Sequence, residues 1–142
     1  GNTIPIAMDG TYKFNQLGLH AVTSPMWETQ EAFARTLKKG DVFFAISASG
    51  ASKRLIRMAK IVKKQGGVTV AVTNQAKSPI TEICDHVIIT ATREHIFYDQ
   101  VSFTRMAAMA VIDTLFMLIL SMKNDFFENV AEHERSVIEE KL

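Results

Sequence analysis

The sequence predicts an α/β layered fold built on a parallel sheet, and two patterns carry the prediction. Strand-like and helix-like apolar runs alternate along the 142 residues, and such alternation requires parallel strands joined by right-handed crossovers. In addition, residues 42–46 and 68–72 are apolar without a break, as expected of strands covered on both faces.

The elements follow in order. The chain opens on Gly1-Asn2-Thr3 and passes at once into a helical pattern over residues 4–17. A glycine turn before a helix normally follows a strand, so the first strand of the sheet is expected upstream of this chain. Residues 19–23 are short and β-branched enough for a strand. Ser24-Pro25 reads as the N-cap and first position of a helix carrying Trp27, Phe33, Ala34 and Leu37. Lys38-Lys39-Gly40 should end that helix, with cations in the last turn and glycine just past it. After the strand at 42–46, Leu55, Met58, Ala59 and Val62 recur at helical spacing, and Gly66-Gly67 closes that helix. A strand at 68–72 follows, then a short helix from Ser78-Pro79 to Ile83, then a strand at 87–89. From about Tyr98 the chain reads as helical, first an apolar helix to about Lys123 and then an amphipathic one from Phe126 onward. No internal repeat is visible, and no linker is long enough to divide domains, so residues 1–142 are expected to form one domain.

Composition narrows the functional classes. A formal net charge of +1 gives no global argument for nucleic acid or an acidic membrane surface. The single Cys84 excludes an internal disulfide and fits a reducing, cytoplasmic setting. The first ten residues lack the basic start and apolar run of a signal peptide. Residues 106–120 are strongly apolar, but they fall short of the roughly 20 residues a bilayer span needs and contain Asp113. A buried or subunit-contacting helix is the expected reading, with no membrane partner.

The chemistry is concentrated in residues 41–52. There an apolar strand runs into Ser47-Ala48-Ser49-Gly50-Ala51-Ser52, and the turn runs into a helix. Glycine admits close backbone approach, while hydroxyls and a helix N-terminus suit an anion, so a phosphate is the expected ligand. Helix capping and turn formation alone would also use these residue types. Lys53 and Arg54 occupy the helix's first turn, where a cation is disfavoured by about 0.3–1 kcal/mol unless an anion is bound nearby.

With these pieces in place, the sequence resembles the sugar isomerase (SIS) domain, and more closely the C-terminal ligand-sensing half of RpiR-family bacterial transcription regulators. Residues Ala45 to Ser52 are similar to the family's A-I-S-x-S-G-x-[ST] phosphosugar loop. Ala71-Val72-Thr73-Asn74, Ser78-Pro79 and Asp85-His86-Val87 are similar to its A-I-T-[SN]…S-P-L…A-D-x-V segment. Thr104-Arg105 with residues 110–116, Ala-Val-Ile-Asp-Thr-Leu-Phe, resembles its S-R…V-I-D-x-L-F helix, a pattern that favours the regulators over catalytic isomerases. Gly1-Asn2-Thr3 falls at the end of the second phosphosugar loop, with Thr3 in place of a serine and Asn2 in place of a small residue.

The resemblance implies a three-layer α/β/α sandwich of flavodoxin-like topology. It implies a sugar phosphate held by Ser47, Ser49, Gly50 and Ser52, with Asn2, Thr3 and Glu94 at the sugar. No cofactor, metal or catalytic residue is implied. DNA would be reached only through an N-terminal helix-turn-helix domain that this chain lacks, and the ligand would shift the populations of a homodimer, or a dimer of dimers.

The other candidates weigh less. Glu94 and His95 follow the last strand, where open parallel sheets collect site residues, and in an aldose–ketose phosphosugar isomerase of this fold they would move protons. Arg105 reaches either an acid at a subunit contact or the ligand. His20, His86 and His133 lack metal-ligand spacing. The basic series Lys53, Arg54, Arg57, Lys60, Lys63 and Lys64 covers several sides of its helix without aromatics, as a solvated face does. Met106, Met109, Phe116, Met117 and Leu120, with Phe126, Phe127 and Val130, exceed what one sheet face covers and suggest a homodimer. An isomerase and a pure oligomerisation module remain the alternatives to a sensor.

Overall fold

A computed structural model describes residues 3–90, 104–122 and 124–140. Its elements are α1 (Ile4–Gln16), α2 (Trp27–Thr36), β1 (Val42–Ile46), α3 (Lys53–Lys64), β2 (Val68–Thr73), α4 (Pro79–Ile83), β3 (His86–Ile89), α5 (Thr104–Met122) and α6 (Asn124–Glu139). The three strands form a parallel sheet in the order β1-β2-β3. Parallel strands need crossovers, and α3 and α4 supply them.

Side chains alternate across the sheet and divide the core in two. Phe44, Ile46, Val72 and Ile88 face α1 and α5, where they meet Ile6, Ala108 and Ile112. Phe43, Ala45 and Ala71 face the other way, toward α3 and α4, and meet Leu55, Ile56 and Ile80. α2 then lies on α3 through Ala34, Leu37, Met58 and Val62. The expected three-layer α/β sandwich with a parallel sheet is therefore present. α1 and α5 approach closely because Gly10 has no side chain: a Cβ there would stand 3.2 Å from Ile112 Cδ1.

Four expectations need correction. Residues 19–23 form no strand; the Asn15 side chain takes both backbone groups of Ala21, at 2.9 and 3.0 Å, and leaves no ladder to build. α2 starts at Trp27, later than Ser24-Pro25 suggested, because the Ser24 hydroxyl accepts from Met26 N at 3.1 Å and turns the chain before the helix. It also ends sooner: Leu37 is extended, and Lys38-Lys39-Gly40 forms a turn closed by Asp41 N donating to Lys38 O at 3.0 Å. Finally, α5 is 19 residues long, about 28 Å at 1.5 Å per residue, and so exceeds the apolar run read from the sequence. By length and composition it could cross a membrane, and only 11% of its 18-residue apolar window is buried.

Candidate functional site

Parallel sheets present their ligand sites at the carboxyl ends of the strands. Here β1 ends in Ile46, and Ser47 N continues the ladder by donating to Val72 O at 2.9 Å. Ser47 is mostly buried as a residue; its hydroxyl makes no hydrogen bond among the described residues, and since no fully buried side-chain oxygen there is left unpaired, it opens to solvent. Gly50 N donates to Ser47 O at 3.1 Å and closes the turn.

The turn is held rigidly from behind. Thr73 Oγ1 and Asn74 N, at the end of β2, each donate to Ala48 O at 3.1 Å. Ile80 N in α4 donates to Gly50 O at 3.0 Å. Gly50 has φ of +63°, and a Cβ on it would lie 2.1 Å from Ser78 Oγ and 3.1 Å from Thr73 Oγ1. Only glycine satisfies both the dihedral and the space. Ser49 Oγ accepts from Ala51 N at 3.3 Å. Ser52 is the N-cap of α3, with its Oγ 3.5 Å from the Leu55 N–H that donates to it. Ser47, Ser49, Gly50 and Ser52 are thus brought together in one turn at the start of a helix, a geometry that suits an anion.

On the α1/α5 side of the sheet a narrow crevice of about 10 Å³ opens between Thr3, Ile6, Ile46, Ala48, Asn74, Thr90 and Arg105, among others. Room for about one water is all such a volume offers. Thr3 caps α1 without a side-chain hydrogen bond to it and comes within the same neighbourhood as the strand ends. Thr90 Oγ1 donates to Asn74 Oδ1, which leaves the Asn74 amino group free to donate elsewhere. Asn2, Glu94 and His95 lie outside the described residues.

The sequence singled out neither Thr73, Asn74, Ser78 nor Thr90 as site residues. Their signal was present: each is a small polar residue immediately after, or at the end of, an apolar strand or at a helix start. Lys53 and Arg54 behave differently from one another. Arg54 lies over the Trp27 ring, 4.8 Å from its centroid, whereas Lys53 is exposed on the outer side of α3.

The strongest electrostatic feature lies at the other end of the sheet. The Asp85 carboxylate accepts from Thr69 N at 2.9 Å and Thr69 Oγ1 at 2.8 Å, and Lys63 Nζ stands 3.0 Å away. The Thr69 backbone N–H, then Lys63, then the Thr69 hydroxyl hold its pKa down at about 2. Burial pushes the neighbouring Cys84 thiol up, which keeps it protonated and unreactive. Among the described residues no group of three or more His, Cys, Asp or Glu could hold a metal ion.

Comparison with known proteins gives a consistent picture. The model of the SIS domain family matches residues 1–118. An uncharacterized HTH-type transcriptional regulator of Caldanaerobacter subterraneus subsp. tengcongensis is 32% identical over 131 residues, 89% of this chain and 46% of that protein. Among solved structures, the Vibrio vulnificus NanR protein complexed with ManNAc-6P aligns with a TM-score of 0.87 at 22% identity, covering 97% of this chain and 52% of that one. The sugar isomerase domain of an RpiR transcription factor from Sphaerobacter thermophilus aligns with a TM-score of 0.71 at 20% identity, over 92% of this chain and 72% of that one. These structural likenesses establish the fold. The chain spans about half the length of the regulator and of NanR.

Proposed function

The chain belongs to the SIS domain family, and from that premise we propose that residues 1–142 are the phosphosugar-sensing domain of a bacterial transcription regulator. The phosphate sits in the turn of Ser47, Ser49, Gly50 and Ser52, and Asn2, Thr3 and Glu94 meet the sugar. The observation that carries this reading is the turn of Ser47, Ser49, Gly50 and Ser52 at the N-terminus of α3, braced from behind by Thr73 and Ile80. A phosphate there would accept from hydroxyls and backbone N–H groups together. The regulator relative supports sensing over catalysis, and the NanR likeness makes ManNAc-6P a natural member of the first ligand panel.

DNA binding belongs to the part of such a regulator that this chain does not span. Ligand binding acts by linkage: it favours one arrangement of a cytoplasmic homodimer over another and so alters how the DNA-binding domains meet their half-sites. The shift it produces is bounded by its differential affinity for the two arrangements.

Phosphorus NMR of a panel of sugar phosphates with the full chain tests the reading. A substrate line that shifts or broadens, with no product growing in, is the expected result. New product resonances accumulating with time would identify an isomerase instead, and no change for any sugar would leave an oligomerisation module.

A further inference from the structure

α3 is a strongly charged surface of a single sign. Its twelve residues hold six of the sixteen Lys and Arg and none of the fifteen acids, which leaves ten cations against fifteen acids in the rest of the chain. Lys53, Arg57, Lys60 and Lys64 recur at intervals of four, three and four residues, so a 3.6-residue period places them on one side of the helix, over about 16 Å of axis. Together with Ile56 and Ile61 they line a shallow depression.

The two cations off the stripe are engaged: Arg54 with the Trp27 ring, and Lys63 with Asp85 and with the Ile83 carbonyl at 2.7 Å. On the stripe, Arg57 is answered by Glu31 at 3.0 Å. Lys53, Lys60 and Lys64 form no ion pair among the described residues.

α6 carries the complement. Glu128, Glu132, Arg135 and Glu139 recur at the same intervals of four, three and four, and all are exposed. Laid antiparallel, the two series share one register, with Lys64 beside Glu128, Lys60 beside Glu132 and Lys53 beside Glu139. The single like-signed step sets Arg57 against Arg135, and Glu31, which Arg57 shares with Arg35 at 2.6 Å, offsets part of that charge. The same register puts Ile61 opposite Ala131 and Ile56 opposite Ser136, small residues that leave room for the isoleucines.

Within one chain the two helices belong to different layers: α6 packs on α1 and α5, and α3 on α2, α4 and the sheet. We propose that the α3 stripe of one copy docks antiparallel on the α6 stripe of a second copy. Isoleucines interleaved with the cations, and the lack of aromatics among them, fit a protein partner better than nucleic acid. The contact is independent of the ligand reading above. Being exposed, it is screened by salt, since the Debye length shrinks from about 10 Å at 0.1 M to 3 Å at 1 M.

Sedimentation of the full chain at low salt and at about 1 M salt tests it. The contact is head-to-tail, so each docked copy keeps one free stripe of each sign, and the expected result is a low-salt species heavier than the high-salt one whose mass grows with protein concentration. Reversing α3 (Lys53→Glu, Lys60→Glu, Lys64→Glu) abolishes the salt-dependent association, and so does reversing α6 (Glu128→Lys, Glu132→Lys, Glu139→Lys). An equimolar mixture of the two variants restores it, because each then presents the charge the other lost. Should either triple variant lose its native circular dichroism, the same exchange is run with Lys60→Glu and Glu132→Lys alone. A mixture that fails to associate overturns the proposal. So does an α6 reversal without effect, or an α3 reversal whose one consequence is lost retention of duplex DNA.

Discussion

Ser47 and Gly50 decide what the turn can do. The run of hydroxyls was legible in the sequence because it is contiguous, and its position after an apolar strand announced the turn. The groups that stiffen it were not, since Thr73, Asn74, Ser78 and Thr90 arrive from two other strands and a helix that only the fold assembles. Replacing Ser49 by Asp puts a carboxylate where the phosphate would sit. Titration of the variant with the responding sugar phosphate is therefore expected to show no saturation, and unchanged affinity would remove the site. Gly50→Ala is a test of the scaffold. Its methyl would meet Ser78 Oγ at 2.1 Å at a φ of +63°, and strain of this kind costs about 1–3 kcal/mol. A lowered urea midpoint together with lost ligand binding is expected. Adding Ser78→Gly relieves the contact but not the dihedral, so the double variant should recover only part of the stability.

At the scale of elements, the strands and most helices were readable because their apolar runs are unbroken or periodic. The misread segment, residues 19–23, had strand-like composition, but composition does not reveal that the Asn15 side chain captures Ala21. Asp85 is a comparable tie, but one that lasts: it joins the turn before β3 to β2 through Thr69 and to α3 through Lys63. Its folded pKa of about 2 lies below the usual 3.8. A depressed carboxyl stabilises the fold above its unfolded pKa and loses that contribution as pH falls through the folded value. The acid limb of stability between about pH 4 and pH 2 should therefore contain a contribution from Asp85. In Asp85→Asn the amide still accepts from Thr69 N but carries no charge for Lys63. Urea midpoints across that range should be lower than wild type at neutral pH and should converge on it near pH 2. Parallel curves at every pH would show that the tie adds nothing. α1 and α5 are joined in a similar way by Lys13, which bridges Asp9 at 2.8 Å and Asp113 of α5.

For the whole molecule the open question is what covers α5. One face is fixed, since Ala108 and Ile112 are buried against α1 and the sheet. The remainder exposes Met106 at 76%, Met117 at 60%, Leu118 at 55% and Met122 at 74%, far more apolar surface in one place than a monomer usually leaves to water. Lipid or a second copy could cover it. Asp113 argues against lipid: its side chain is 57% exposed at mid-helix, where a carboxylate costs about 2.5–3.5 kcal/mol in a bilayer, and its Lys13 partner sits on a helix that itself carries Asp9. A second copy is the proposed cover, and methionine suits such a contact because its flexible side chain adapts to irregular surfaces. This apolar dimer should respond to salt in the opposite sense from the charged α3–α6 contact, because salting-out ions strengthen apolar burial while screening charge. Light scattering at micromolar concentration should give a dimer that persists in molar sulfate. Met117→Glu with Leu118→Lys should reduce it to a folded monomer whose unfolding midpoint no longer rises with protein concentration, since both side chains are exposed in the single chain and only the dimer contact is lost. A wild-type monomer under those conditions would sink the dimer, and a wild-type chain soluble only with detergent would hand the face to lipid.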